Sequence, residues 1–367
     1  GEEERKQLLK SLRSMIIAWG TALTLLIGIG VLLEISHEPE DSHLQSEPKQ
    51  DQSNTVNKSL ASVAIQKTTP DPASLTSQRF NNAKKDATDL EDSILPPPTF
   101  VVIQEDPDLI ELGSGGLLPK RSADGKVAWQ TYAHREVTDE TRPRIAIIIT
   151  DMGLNKQLTT SAIKKLPAAV AFAFSPYAVA LNDWRSLARS TGHEVLMLVP
   201  MEPLNYPQND PGSLSLITTK DSLENIDTLH KVMSSMVGYV GMMNQMGSKF
   251  MTLQPNLRPI LTEMNIRGLM FVDGRTTPFS KGAKIAQGIG LPRSYIDTHI
   301  DRIPSEEEIM IQLQDLENRA KTLGVAVGLA HNYPLSITLL QKWIDGLSDQ
   351  GFQLVPITAT VNRQPIS

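Results

Sequence analysis

RIAIIITD, residues 144–151, decides the fold. Five apolar residues in a row, four of them isoleucine, end in a threonine and an aspartate. The run is too short for a core helix, and it does not alternate as a half-exposed strand would. It reads as a strand covered on both faces, the kind that fills parallel sheets. Similar runs recur at 169–175, 193–200, 239–244, 268–273, 324–330 and 352–357, with a weaker candidate at 294–300. Helical stretches lie between most of them, near 157–166, 180–190, 220–236, 255–266, 280–289, 305–322 and 335–349. Helix starts are marked by Thr219 ahead of Lys220-Asp221, and by Pro304-Ser305 ahead of three glutamates. The alternation predicts an α/β fold, a (β/α) barrel of seven or eight parallel strands, with a doubly wound open sheet as the runner-up.

Each apolar run ends in polar residues. Thr150-Asp151 follows the first, Ser175-Pro176-Tyr177 the second, and Met201-Glu202-Pro203 the third. Asn244-Gln245 ends the fourth, Asp273-Gly274-Arg275 the fifth, and His331-Asn332 closes the run at 324–330. The weak run carries Asp297 and His299. In a parallel α/β fold the carboxyl ends of the strands share one face, where sites are built. Asn244 and Gln245 are therefore expected to point into a pocket. A single strand-end aspartate is as readily a turn residue, so the expectation rests on the joint placement. His193 opens its run and reads as structural, and His230 as a helix-surface residue.

Outside this body the chain changes character. From residue 143 onward positive and negative side chains nearly balance, 20 against 19, so the net charge of −6 belongs to the first 142 residues. The body has no basic field for nucleic acid. The chain has no cysteine, which excludes disulfides, thiolate metal ligation and a cysteine nucleophile.

Met15 to Leu33 is uncharged, and as a helix it would reach about 28 Å, the thickness of a bilayer core. Arg5, Lys6, Lys10 and Arg13 precede it, and Glu34, Glu38, Glu40 and Asp41 follow. The expected organisation is a cytoplasmic N-terminus at 1–14 and an uncleaved transmembrane helix at 15–33. The rest would then lie on the periplasmic side of an inner membrane. Residues 34–98 are polar, with seven prolines and Phe80 as the one aromatic, and read as a disordered tether. Residues 99–142, with FVVIQ at 100–104, Trp129 and Tyr132, read as an ordered lead-in that packs on the body at 143–361.

Seven blocks taken in order carry a family resemblance: IAIIITDMG (145–153), LPAAVAFAFSPYA (166–178), GHEVLMLVPMEP (192–203), MNQMGSKF (243–250), RGLMFVDGRTT (267–277), GVAVGLAH (324–331) and LVPIT (354–358). The set resembles the divergent polysaccharide deacetylase family, related to carbohydrate esterases that remove acetyl groups from glycans. The resemblance implies a distorted (β/α) barrel and a divalent metal, such as zinc, held by Asp and His. It places Asp151, Asp273 and His331 in catalytic roles, Asp151 or Asp273 as general base and His331 as acid or ligand. Asp151 and His331 would be the metal ligands, and Glu202, Asn244, Gln245 and Arg275 would contact substrate. Three departures stand against the pattern. Met152 follows Asp151 where members commonly carry a second Asp, Leu198-Val199 stand where a His is common, and Gln245 replaces a His. Metal-assisted deacetylation needs a Lewis acid, and neither Met nor a neutral amide replaces a carboxylate or imidazole. Two functions follow: a membrane-anchored deacetylase-like hydrolase acting on a cell-envelope glycan with a degraded metal site, or a non-catalytic envelope protein that binds a glycan or another protein.

Overall fold

The computed structural model describes residues 105–135, 139 and 141–366. The expected membrane helix at 15–33, the tether at 34–98 and the FVVIQ strand lie outside the described residues. Among the described residues no helix is long and apolar enough to cross a membrane.

The lead-in contains an antiparallel hairpin, β1 (Ile110–Gly113) with β2 (Gly116–Pro119), and a short helix α1 (Ala128–Thr131). Tyr132 is buried in the main core with Arg189 stacked 4.5 Å from its ring, and Trp129 packs against the same core.

Nine strands form one all-parallel sheet. They are β3 (Arg144–Met152), β4 (Ala171–Phe174), β5 (Val195–Met201), β6 (Gly241–Met246), β7 (Met270–Asp273), β8 (Arg293–Tyr295), β9 (Thr298–His299), β10 (Val325–His331) and β11 (Gln353–Leu354). The helices between them are α2 (Lys156–Lys165), α3 (Leu181–Ser190), α4 (Ser222–Ser234), α5 (Gln254–Ile266), α6 (Gly282–Gly288), α7 (Glu306–Leu323) and α8 (Pro334–Leu347). Ile145 through Ile149 are fully buried, as a strand covered on both faces must be. Start signals act where the chemistry requires. Ser305 caps α7 by accepting from Glu308 N at 3.3 Å. Asp221 and Glu224 form a reciprocal capping box on α4, which moves that start beyond Thr219.

The strand order is β8-β7-β6-β5-β4-β3-β10-β9, with β11 against the lower part of β3. From β3 to β8 the chain steps in one direction without the reversal that defines a doubly wound sheet. The two edge strands, β8 and β9, are separated by only Ile296 and Asp297. Ile296 N donates to Asp273 O on β7 at 2.9 Å, and the next amide, Asp297 N, donates to Val327 O on β10 at 2.8 Å. Two adjacent residues thus bond to opposite ends of the sheet, which requires it to curl. The weak run at 294–300 is this seam, and its break into two short strands distorts the barrel.

The C-terminal segment stitches the seam from below. The side-chain amide of Gln364 pairs with Tyr295 through both main-chain groups, at 2.8 and 2.7 Å, and Ser294 Oγ–H donates to it at 2.8 Å. Gln364 thereby serves β8 as a neighbouring strand would.

Candidate active site

Asp151 reaches the site through a bulge. Ile149 pairs with Phe172 and Met152 with Phe174, so β3 carries one residue more than β4 over that interval. The extra residue puts Asp151 at φ 58°, in the left-handed region that disfavours non-glycine residues. Bulges re-aim side chains. Here the bulge turns Asp151 toward the barrel mouth and returns Met152 to the core, where it is fully buried. Gly153 makes the turn feasible. It sits at φ 87°, and a Cβ there would stand 2.5 Å from Ala178 Cβ.

Opposite Asp151 stands Gln245. Its Nε2 donates to Asp151 Oδ1 at 2.8 Å. The two strands are three neighbours apart in the sheet, roughly 14 Å if flat, so this bond spans the mouth of a curled barrel. From β10, His331 points its Nε2 at Asp151 Oδ2, 3.8 Å away. His331 Nδ1 faces Asp301 Oδ1 at 2.8 Å, and Asp301 is almost completely buried. The result is a line of Asp301, His331, Asp151 and Gln245 across the carboxyl ends.

Adjacent side chains on a strand leave on opposite sides, and this separates the two amides. Asn244 does not enter the pocket. Its Oδ1 accepts from Gly274 N at 2.7 Å, and its Nδ2 donates to Met246 O at 2.9 Å, clasping the segment after β7 and holding Met246 at φ 54°. Asp273 does not join Asp151 either. Its oxygens accept from Arg275 N at 2.9 Å, Ser280 Oγ at 2.7 Å and Ala283 N at 3.0 Å, all in its own following segment. Glu202 is buried, paired with Lys249 Nζ at 2.6 Å and accepting from Thr218 N, so it ties loops together. Arg275 lays its guanidinium 3.9 Å from the Tyr295 ring centroid. His299 keeps Nε2 buried without a hydrogen-bond partner. His193 is structural, both ring nitrogens facing main-chain carbonyls, and His230 is half-buried against Glu263 at 2.8 Å rather than free on the surface.

Met152 faces the core and cannot stand for a lost ligand. Thr150 is the residue paired with His331 across the β3–β10 ladder, so the two side chains leave the same face of the sheet. Leu198 and Val199 are fully buried. Asp301, which the sequence analysis does not include, lies two residues beyond β9 and directly after the run at 294–300, the same strand-end position as the other candidates.

Charge is shared along the line. The hydrogen bond to Asp301 holds the His331 imidazole above its ordinary pKa, with burial opposing and both carboxylates adding to the rise. Burial pushes the Asp151 carboxyl up, against the pull of His331 and Gln245. A protonated His331 between two carboxylates can hold or pass a proton at Nε2. Metal binding asks for more. Asp151 and His331 Nε2 are two strong donors, while Asp301 occupies the far nitrogen and Gln245 spends its amide on Asp151. Catalytic zinc takes three protein N/O ligands. Among the described residues no group of three or more His, Asp or Glu side chains is placed to hold an ion. The residues present do not fit a three-ligand metal centre.

Comparison with known proteins matches the same region. The model of the divergent polysaccharide deacetylase family matches residues 147–361. The uncharacterized protein YibQ of Escherichia coli K12 is 24% identical over 223 residues, 61% of this chain and 69% of that protein. An uncharacterized protein of Haemophilus influenzae is 29% identical over 216 residues, 58% of this chain and 74% of that protein. A crystal structure of an uncharacterized protein from Agrobacterium tumefaciens C58 superposes with a TM-score of 0.65 at 33% identity, covering 67% of this chain and 100% of that one.

Proposed function

The chain belongs to the divergent polysaccharide deacetylase family, and from that premise we propose that it binds an acetylated cell-envelope glycan at the barrel mouth without metal-dependent deacetylation. In this reading residues 15–33 anchor it in the inner membrane, with the barrel on the periplasmic side. One observation carries the loss of metal chemistry: Gln245 donates to Asp151 at 2.8 Å, so the carboxylate is engaged by a neutral amide where a third charged or imidazole donor would be needed. Hydrolysing an amide at neutral pH needs its carbonyl polarised and a water activated. Two donors and an amide supply neither. What remains is a polar mouth that can hydrogen-bond an acetamido group through Asp151, Gln245 and His331.

The test uses the full chain in detergent. Calorimetry with N-acetylated chitotetraose should show binding, and incubation with zinc should release no acetate. Stoichiometric tight zinc together with acetate release would reject the reading. A second reading, a surviving hydrolase, is favoured by the intact His331–Asp301 pair, which suits a general acid. The acetate assay separates the two.

A further inference from the structure

The two ends of the barrel differ in what they leave in water. At the carboxyl ends of the strands, Leu154 follows β3, Val179 follows β4 and Leu204 follows β5. Phe279 follows β7, Ile303 follows β9 and Tyr333 follows β10. All six are exposed, from 45% at Tyr333 to 82% at Val179. At the other end, among the described residues, no loop leading from a helix into a strand carries an exposed large apolar side chain. At roughly 150–250 Å² for a large side chain, the six leave on the order of 700 Å² of apolar surface around one mouth. A monomer rarely exposes that much together unless it meets a protein or a membrane.

The tips are held in place. Pro203 precedes Leu204, Pro278 precedes Phe279, Pro304 follows Ile303 and Pro334 follows Tyr333. Proline fixes its own φ and restricts the residue before it. Leu204 N also donates to Ser248 Oγ at 3.0 Å, and the Tyr333 ring stacks on His331 with centroids 5.3 Å apart.

The arrangement selects between the two kinds of partner. A protein interface has an apolar centre and a polar rim. This mouth is the reverse, with apolar tips around Asp151, Gln245 and His331. Separate tips around a polar hollow suit a fluid surface that each side chain enters independently, as interfacial Tyr, Phe and Leu do. Exposed Lys156, Lys281 and Arg302 stand beside Leu154, Phe279 and Ile303, while Asp183 and Asp210 lie on the side of Val179 and Leu204. The signs are mixed, so the tips rather than net charge supply the attraction. Residues 34–104 separate the expected membrane segment from the first described residue, and their contour length exceeds ~200 Å. That length lets either end of the barrel come to the bilayer.

We propose that the barrel docks mouth-first on the bilayer surface, with the six apolar tips in the interfacial layer. The proposal rests on the membrane-anchor reading above. It opens Asp151, Gln245 and His331 onto the lipid headgroups, so the ligand they meet is one carried at a membrane surface.

The chain has no cysteine, so single cysteines can carry an environment-sensitive fluorophore. The experiment reconstitutes the full chain into phosphatidylcholine vesicles containing phosphatidylglycerol. Labels sit at Val179→Cys, Leu204→Cys or Phe279→Cys, and at Asp349→Cys, an exposed position beyond α8 at the opposite end. The three mouth labels should shift to shorter wavelength and lose emission when the lipids carry an acyl-chain spin label. The Asp349 label should do neither. Adding Val179→Asp and Phe279→Asp should restore the emission of the Leu204 label. If the chain stays with the vesicles through an alkaline wash and the mouth labels are quenched no more than the Asp349 label, the docking is wrong while the anchor stands. A shift without lipid quenching would mean that a second copy covers the mouth, and would overturn the proposal. An unchanged Leu204 label in the aspartate variant would overturn it as well, because the tips would not drive the contact. If the chain washes off the vesicles, the anchor reading falls and takes the docking with it.

Discussion

The carboxylate of Asp301 accepts from His331 twice, at the ring Nδ1 and at the main-chain N–H, each at 2.8 Å. It also accepts the Ser336 hydroxyl at 2.6 Å, from the first turn of α8. The imidazole is therefore fixed in orientation by a buried carboxylate.

Replacing Asp301 by Asn should lower the His331 pKa. In the folded protein that pKa lies above its ordinary value, chiefly through the Asp301 hydrogen bond. The stability His331 contributes is then fully present below its unfolded pKa of about 6.5, and is lost as pH rises through the folded value. Titration of the His331 ring protons by NMR should show a lower midpoint in Asp301→Asn. Urea unfolding of that variant should show a shallower loss of stability above pH ~6.5. An unmoved midpoint would mean Asp301 orients the ring without holding its charge.

Asp273 and Asp151 should part company on stability. Asp273 is buried and satisfies three donors, so Asp273→Ala strands them and should cost on the order of 3 kcal/mol. Asp151 is partly exposed and in a strained backbone conformation, so Asp151→Ala should change stability by less than about 1 kcal/mol. Yet Asp151→Ala should abolish ligand binding at the mouth. Equal costs in urea titrations would contradict the division between a site carboxylate and a structural one.

Much of this was legible in the residues alone. The apolar runs at 144–150 and 193–200 became β3 and β5 nearly to the residue, because a strand covered on both faces has no polar position to confuse the reading. The strand-end rule found Asp151, Gln245 and His331 together. It could not separate Asn244 from Gln245, since which neighbour faces the mouth depends on register, and one residue of slip exchanges them. It also could not see the bulge at Thr150-Asp151, which decides that Asp151 faces the mouth and Met152 the core. The seam at 296–297 was hidden because its bonds run to β7 and β10, far away in the chain.

The bulge makes the zinc experiment specific. Gln245→His would add a third strong donor beside Asp151 and His331, and should tighten zinc binding by at least about ten-fold in calorimetry. Adding His331→Ala should remove the gain. Met152→Asp, by contrast, buries an unpaired carboxylate and should cost several kcal/mol without improving zinc affinity. Thr150→Asp is the productive position, because Thr150 shares a sheet face with His331. Tighter zinc in Met152→Asp than in Thr150→Asp would overturn the bulge geometry.

His299 should leave its mark on the acid side. Its pKa is pushed down to about 4, by burial first, then by Arg302 and His331, with the main chain at Gly274 and Arg275 pulling the other way. Its Nε2 is buried without a partner, so a second proton would have no acceptor. The unfolded chain takes up that proton near pH ~6.5 and the folded one does not. Between about 6.5 and 4 the unfolded state therefore binds more protons, and stability must fall as pH falls. The His331 effect lies in a different window, above about 6.5, and has the opposite slope. The two can be read apart in one series of urea titrations from pH 4 to 8. His299→Asn should flatten the acid limb and leave the alkaline limb alone, while Asp301→Asn should act mainly on the alkaline limb. Other buried carboxylates add to the parent curve, so the informative quantity is the difference between parent and variant at each pH. If His299→Asn shows the same acid slope as the parent, the imidazole is not shielded from water as its position at the seam requires.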